Sequence, residues 1–206
     1  ISSVGGDIRN LSLKNYLADD SEGYFQLMSD SQNPLLYIAQ TGLLGENLPT
    51  HKSVFTSTRN NFQMSSDTLV VPFTYEADGL VVKKIYTFTK NSYLIKVSYD
   101  IKNNSDNSLK MSAYYQLIHD GESNQGSSMM PKYTGTAYYT DDLNFNKLSF
   151  DDVDSKSFSI SANDGWIGII QQYFASSWIV RDDKSRELYS KKIANNIYAS
   201  GLVISL

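Results

Sequence analysis

Two histidines, His51 and His119, are the only side chains in the 206 residues that titrate near neutral pH when unperturbed. Acid–base chemistry would have to run through one of them or through a carboxylate displaced from its usual range. His119 is followed by Asp120, but neighbours on a strand point to opposite faces, which argues against a base held by its orienting partner. Both histidines therefore read as ordinary polar residues in loops or at strand ends. The acidic run Asp151, Asp152 and Asp154 raises the question of calcium. Counted from Asp152, the run lacks the glycine and the glutamate that a helix–loop–helix calcium site requires at its sixth and twelfth positions, and Lys156 stands where another ligand is wanted. A solvated turn is the better reading. The pairs Asp19/Asp20, Asp141/Asp142 and Asp182/Asp183 read as turn and surface residues, and nothing in their spacing sets two carboxylates across a cleft as sugar hydrolysis needs. No nucleophile elbow, phosphate loop or dinucleotide fingerprint is present. The sequence thus nominates no catalytic, metal-binding or cofactor-binding residue.

The elements that would carry such residues read as strands. Tyr93, Ile95, Val97, Tyr99 and Ile101 alternate with polar side chains, and Leu109, Met111, Ala113, Tyr115 and Leu117 resume the alternation after the turn "KNNSDN", so 93–102 and 108–118 predict an antiparallel hairpin. Segments 80–89 and 68–76 extend it upstream to a four-strand meander with the turn "ADG" at 77–79. Pro72 marks its strand as an edge or a bulge. Shorter strands are predicted at 7–13, 24–28, 35–40, 133–140, 157–162, 186–193 and 198–205. Residues 42–52 and the polar excursion 119–132 read as loops. The only hint of helix is a turn near 141–147. Met129 and Met130, in front of Pro131, either offer an adaptable contact surface or tuck back onto a sheet.

The totals bound the class. A chain of this length suits one large β domain. The net charge of −4 disfavours nucleic acid. The absence of cysteine removes disulfides and thiolate chemistry. No apolar run reaches the length of a membrane span. The chain opens as if a strand were already under way and ends abruptly in "GLVISL", which predicts a piece of a longer polypeptide.

The most apolar stretch, "DGWIGIIQQYFASSWIV" at 164–180, holds both tryptophans. Its β-branched and aromatic content favours a strand over a helix, and its near-continuous apolar run predicts one central strand buried on both faces. Trp166, Ile169, Ile170, Tyr173, Phe174 and Trp178 are the expected core, with Trp166→Ala costing about 3–5 kcal/mol. Gln171 and Gln172 would need partners if buried.

Several stretches then point to one family. "SSVGGDIRNLSLKNY" (2–16), "LLYIAQTGLLG" (35–45), "VVPFTYEADGLVVKKIYTF" (70–88) and above all "DGWIGIIQQYFASSWI" (164–179) resemble, in order and spacing, the first periplasmic domain of the YidC membrane-protein insertases of Gram-negative bacteria. The resemblance implies an all-β fold, a two-sheet β-supersandwich similar to galactose mutarotase with few short helices. It implies that residues 1–206 are a single periplasmic domain on the outer side of the inner membrane, without the final strands and the linker helix. It further implies a non-catalytic role with no cofactor, assisting the insertion and folding of inner-membrane proteins through contact with SecDF, SecYEG or nascent substrates. By position, about 129–179 corresponds to the family's Sec-contact region, and Met129, Met130, Tyr133, Tyr138 and Tyr139 are the candidate partner contacts. The alternative is a mutarotase-like sugar-binding or sugar-epimerising protein, whose chemistry would need a general acid and a general base converging on one carbon.

Overall fold

The computed structural model describes residues 1–18, 23–31, 36–106, 108–121, 133–182 and 184–206. Among them, strands dominate and every strand pairing is antiparallel. A seven-stranded sheet contains β1 (Leu11–Leu17), β2 (Tyr24–Asp30), β3 (Leu36–Leu44), β7 (Ser112–His119), β14 (Ile197–Ser205), β13 (Arg186–Ala194) and β10 (Phe158–Ala162), in that spatial order. A three-stranded sheet follows the chain, with β4 (Thr68–Ala77), β5 (Leu80–Thr89) and β6 (Ile95–Asn103). A four-stranded sheet has the order β12 (Ala175–Ile179), β11 (Trp166–Ile170), β8 (Gly135–Thr140) and β9 (Asn144–Leu148).

Local chemistry explains the β4–β5 hairpin. Ala77 pairs with Leu80, so the loop is the two residues Asp78 and Gly79, both with positive φ (50° and 80°). That is the turn whose twist matches the flanking strands, and Asp-Gly is a sequence that tolerates it. Pro72 lies in β4, at the edge of its sheet, where its missing N–H costs little.

The expected four-strand meander stops one strand short. β6 pairs only with β5, and β7 crosses to the large sheet between β3 and β14. Burial explains the separation. Ala113, Tyr114, Gln116, Leu117 and Ile118 are buried on both faces of β7, which therefore needs neighbours on either side. β6 exposes Lys96, Asp100 and Lys102, side chains that suit an edge.

The stretch 164–180 is likewise not one strand. It folds into the hairpin β11–β12, closed where the Gln171 N–H donates to the Phe174 carbonyl (2.7 Å). The glutamines sit in the turn, Gln171 partly exposed and Gln172 exposed, with Gln172 Nε2 donating to the Tyr173 hydroxyl (2.9 Å). β11 is central in its sheet and β12 is an edge. Residues 144–148, where a helical turn was expected nearby, form β9. The helix α1 comes later, at Phe150–Ser155, on the acidic run read as a turn. Its start is specified by a capping box: Ser149 Oγ accepts from the Asp152 N–H (3.1 Å), and the Asp152 carboxylate accepts from the Ser149 N–H (2.9 Å). The stretch 42–52, read as loop, begins inside β3, which continues to Leu44.

The core lies between the large sheet and the two smaller ones. One cluster joins Met28, Tyr37, Ala39 and Leu117 of the large sheet to Val71, Phe73 and Tyr86 of the small sheet and Ile169 of β11. A second joins Leu43, Ala113, Leu188 and Leu202 to Leu80, Val82, Tyr138 and Ile167. Each cluster thus draws on all three sheets.

Candidate functional site

Alternation along β11 and β8 sends Ile167, Ile169 and Tyr138 inward and leaves Trp166 and Tyr139 on the outer face of the four-stranded sheet. Register lines these up. Ile179 faces Trp166, Trp166 faces Tyr139, and Tyr139 faces Phe145, so one apolar row crosses all four strands. Ile179 is 54% exposed and Phe145 50%, and the Phe145 ring lies 6.1 Å from the Trp166 ring. Leu143, in the β8–β9 turn, adds further exposed apolar surface beside it. A row of this kind, rich in aromatic side chains and free of charge, has the composition that protein interfaces favour at their centres.

The far face of the large sheet has a different chemistry. Tyr189, Gly201, Gln116 and Gln40 are opposite one another on β13, β14, β7 and β3. The Tyr189 hydroxyl donates to Gln116 Oε1 (2.7 Å), and Gln116 Nε2 donates to Gln40 Oε1 (2.9 Å). Tyr189 can reach across because Gly201 has no side chain between them. Beside this row the Tyr114 hydroxyl bonds the ring of His51 (2.5 Å to Nδ1). Burial and the nearby Lys52 push the His51 pKa down. No acid lies beside it to act as its complement among the groups that shift it. No three His, Cys, Asp or Glu side chains converge into a metal site among the described residues.

Four ionisable side chains are buried here: Asp7, Lys84 and Arg186, which were not singled out from sequence, and His119, which was read as an ordinary polar residue. Lys84 and Asp7 are fully buried, 3.6 Å apart. The "GGD" segment forms the other half of this site. Gly5 and Gly6 take positive φ, and their carbonyls accept from Lys84 Nζ (2.7 Å) and from the Tyr86 hydroxyl (2.6 Å). Lys84 also donates to the Thr41 carbonyl (3.1 Å), so one ammonium ties the N-terminal segment, β3 and β5 together. Burial raises the Asp7 pKa to about 6 against the pull of Lys84 and Arg9, and lowers Lys84 to about 8 against the pull of Asp7. Arg186, at the start of β13, is buried beneath the turn between β10 and β11. His119, at the end of β7, is fully buried, and its Nδ1 lies 3.4 Å from Asp120, the neighbour that alternation was expected to separate from it. The pair forms because the strand ends at His119 and the backbone turns there. All three basic groups fall in phase with inward apolar neighbours: Lys84 with Val82 and Tyr86, His119 with Leu117, Arg186 with Leu188. That phase was the available signal.

The expected site residues disperse. Tyr138 is buried against Phe158, with ring centroids 4.5 Å apart, and so is removed from any partner surface. Tyr139 is half-buried on the outer face. Tyr133 is half-buried under Lys147 and donates to the Thr136 carbonyl. Met129 and Met130 lie outside the described residues. Of the expected core, Ile169 is fully buried, and Ile170 and Trp178 are half-buried, Trp178 beside Tyr115. Phe174 stacks on Phe25 at 4.4 Å and meets Tyr16 edge-on. Tyr173 belongs to no core: at the tip of the β11–β12 turn it is 78% exposed. Trp166 is only half-buried. Its truncation therefore removes less packing than a core tryptophan would, and Trp166→Ala is expected to lower stability by about 1–2 kcal/mol, not 3–5. Thermal unfolding of that variant beside Ile169→Ala, where the larger loss belongs, checks the ordering.

What these features define is an all-β domain with an exposed uncharged row on one sheet and, among the described residues, no cluster of His, Cys, Asp or Glu that could hold a metal. The chain belongs to the YidC periplasmic domain family, which matches residues 1–205 and is non-enzymatic. It is 49% identical over its whole length to the membrane protein insertase YidC of Methylobacillus flagellatus, and 36% identical over 99% of its length to those of Nitrosospira multiformis and Aromatoleum aromaticum. It spans 37–38% of the length of these relatives.

Proposed function

We propose that this domain is an accessory interaction module of a YidC-type insertase. In this reading it assists insertion and folding of inner-membrane proteins by contacting the Sec translocon (SecDF or SecYEG) or emerging substrates, and the outer face of the four-stranded sheet is the contact. The observation that carries it is the uncharged row Ile179, Trp166, Tyr139 and Phe145, which falls within the 129–179 region nominated by the family resemblance. Residues 1–206 act as one domain of the supersandwich, galactose-mutarotase-like type. Support comes from the two core clusters, each shared among all three sheets, and from the large sheet that backs both smaller ones.

Photo-crosslinking probes at Phe145 and Ile179 of the full-length protein in native membranes are expected to trap a Sec component or a nascent chain. Probes at Lys96 and Lys102 on the β6 edge should not. Adducts in equal yield from both faces, or from β6 alone, would remove the assignment.

The second reading is sugar binding on the far face of the large sheet, where the Tyr189–Gln116–Gln40 chain beside Tyr114 is buried and bonded to itself and would have to open to a ligand. Titration calorimetry with monosaccharides and with an unfolded peptide separates the two. Galactose epimerisation is not expected, because among the described residues the His51 ring is bonded to the Tyr114 hydroxyl and pairs with no carboxylate.

A further inference from the structure

Helix α1 is the only connection between β9 of the four-stranded sheet and β10 of the large one, and it is seated by a stack of rings. Phe150 lies on Tyr198 at 4.7 Å and on His119 at 5.3 Å, nearly parallel to each, and Tyr37 closes on His119 from β3 at 5.1 Å. Val153 completes the contact. His119 is the polar member of this stack. It exposes no surface, its Nδ1 accepts from the Gly121 N–H (3.1 Å), and its Nε2 is buried with no hydrogen-bond partner among the described residues. We propose that His119 is an acid-sensitive latch: as the uncharged ring it seats α1 on the end of the large sheet, and protonation unseats the helix.

The geometry admits only the neutral imidazole. With Nδ1 accepting, the neutral ring carries its one proton on Nε2, and a second proton at Nδ1 would point a donor at the Gly121 N–H and place a full charge among rings. The other titratable or charged groups around it do not offset this. Tyr37 and Tyr198 remain neutral, with their pKa values raised. From α1, Asp154 is bound to Lys192 of β13, and Asp151 acts on Tyr198 from a solvated position. Asp120 favours the charged ring through Oδ1, 3.4 Å from Nδ1, while its Oδ2 accepts from the Leu36 N–H (2.6 Å), and burial outweighs that pull. The result is a His119 pKa lowered to about 4. A histidine held low in the seated state favours seating fully above its free value of 6.5, and that preference is lost as pH falls through about 4. The ratio of seated to unseated helix then drops up to tenfold per pH unit, on the order of 300-fold in all. Unseating α1 also loosens β9, and with it Phe145 and the outer row.

Hydrogen–deuterium exchange of the whole protein, corrected for intrinsic rates, reads this directly. Between pH 7 and about 4.5, protection of residues 149–156 in the wild type is expected to fall by roughly 50- to 100-fold, while β5 stays protected. In His119→Phe, which keeps the ring stack and cannot titrate, protection should not change with pH. A wild-type helix whose protection ignores pH, or an equal loss in His119→Phe, overturns the proposal. Should that variant not fold, the slow exchange of the imidazole C2 hydrogen in the wild type gives the His119 titration by itself. A midpoint near 4 that coincides with α1 opening supports the latch; a midpoint near 6.5, or one not shared by α1, overturns it.

Discussion

Replacing Lys84 by methionine lowers stability by about 3–5 kcal/mol at neutral pH, the usual cost of removing one member of a buried ion pair. The ammonium is fully buried and holds the Gly5 and Thr41 carbonyls in addition to Asp7. Methionine fills similar space but leaves two carbonyls unmet and a carboxylate whose remaining charged partner among the described residues is Arg9, 4.0 Å away. The melting temperature should fall by roughly 10 °C for a domain of this size. The pH dependence identifies the cause. In the wild type Asp7 already has a raised native pKa of about 6, so its contribution is fullest below its unfolded value of 3.8 and is lost as pH rises through 6. Without Lys84 that native pKa rises further, and the deficit of Lys84→Met should shrink as pH falls from 7 towards 5. Adding Asp7→Asn to Lys84→Met should restore part of the loss at pH 7, because no buried charge then remains unpaired. Chemical denaturation of the three variants at both pH values measures this. A Lys84→Met deficit that is independent of pH would refute the unpaired carboxylate as its source.

Arg186→Met is expected to cost about as much, again roughly 3–5 kcal/mol, for a different reason. The guanidinium is a fork beneath two surface segments. Its Nε donates to the Lys184 carbonyl (3.2 Å), Nη1 to Val180 (2.9 Å), and Nη2 to Asn163 (2.8 Å) and Asp182. Among the described residues its one carboxylate, that of Asp182, is 3.5 Å away and nearly half exposed, and carbonyl oxygens accept from the rest of the buried fork. Arg186→Lys keeps the charge but cannot span carbonyls arranged for a planar fork, and should recover less than half of the loss. The damage should be local as well as global, with faster amide exchange at 163–165 and 180–185 in both variants. Unfolding midpoints within 1 kcal/mol of wild type for Arg186→Met would show that water satisfies those carbonyls without help.

Both sites show where the sequence was legible and where it was not. The alternation along β5 and β13 already placed Lys84 and Arg186 on the inward side, next to Val82 and Leu188. The rule that charges stay outside pulled the opposite way, and only the partners could decide between them. Those partners are main-chain carbonyls: Gly5 and Thr41 for Lys84, far along the chain, and for Arg186 those of Val180, Asp182 and Lys184 in the segment just before it together with the more distant Asn163. A carbonyl has no residue type, so no reading of the amino acids could have found it. His119 was read as an ordinary polar residue for a similar reason, its environment being the rings of Tyr37, Phe150 and Tyr198 from three other elements.

Strand content, the Asp78–Gly79 turn and Pro72 at an edge were decided by the chain itself, because each depends on backbone preference within a few residues. The family was legible for a related reason, since its motifs are stretches of contiguous sequence. Tertiary structure alone decided that β7 leaves β6 for the large sheet, that 164–180 breaks into a hairpin at its glutamines, and that Tyr138 points in while Phe145 faces out. A strand carries no record of which other strand will satisfy its hydrogen bonds; that choice is made by the burial of both its faces against partners far along the chain.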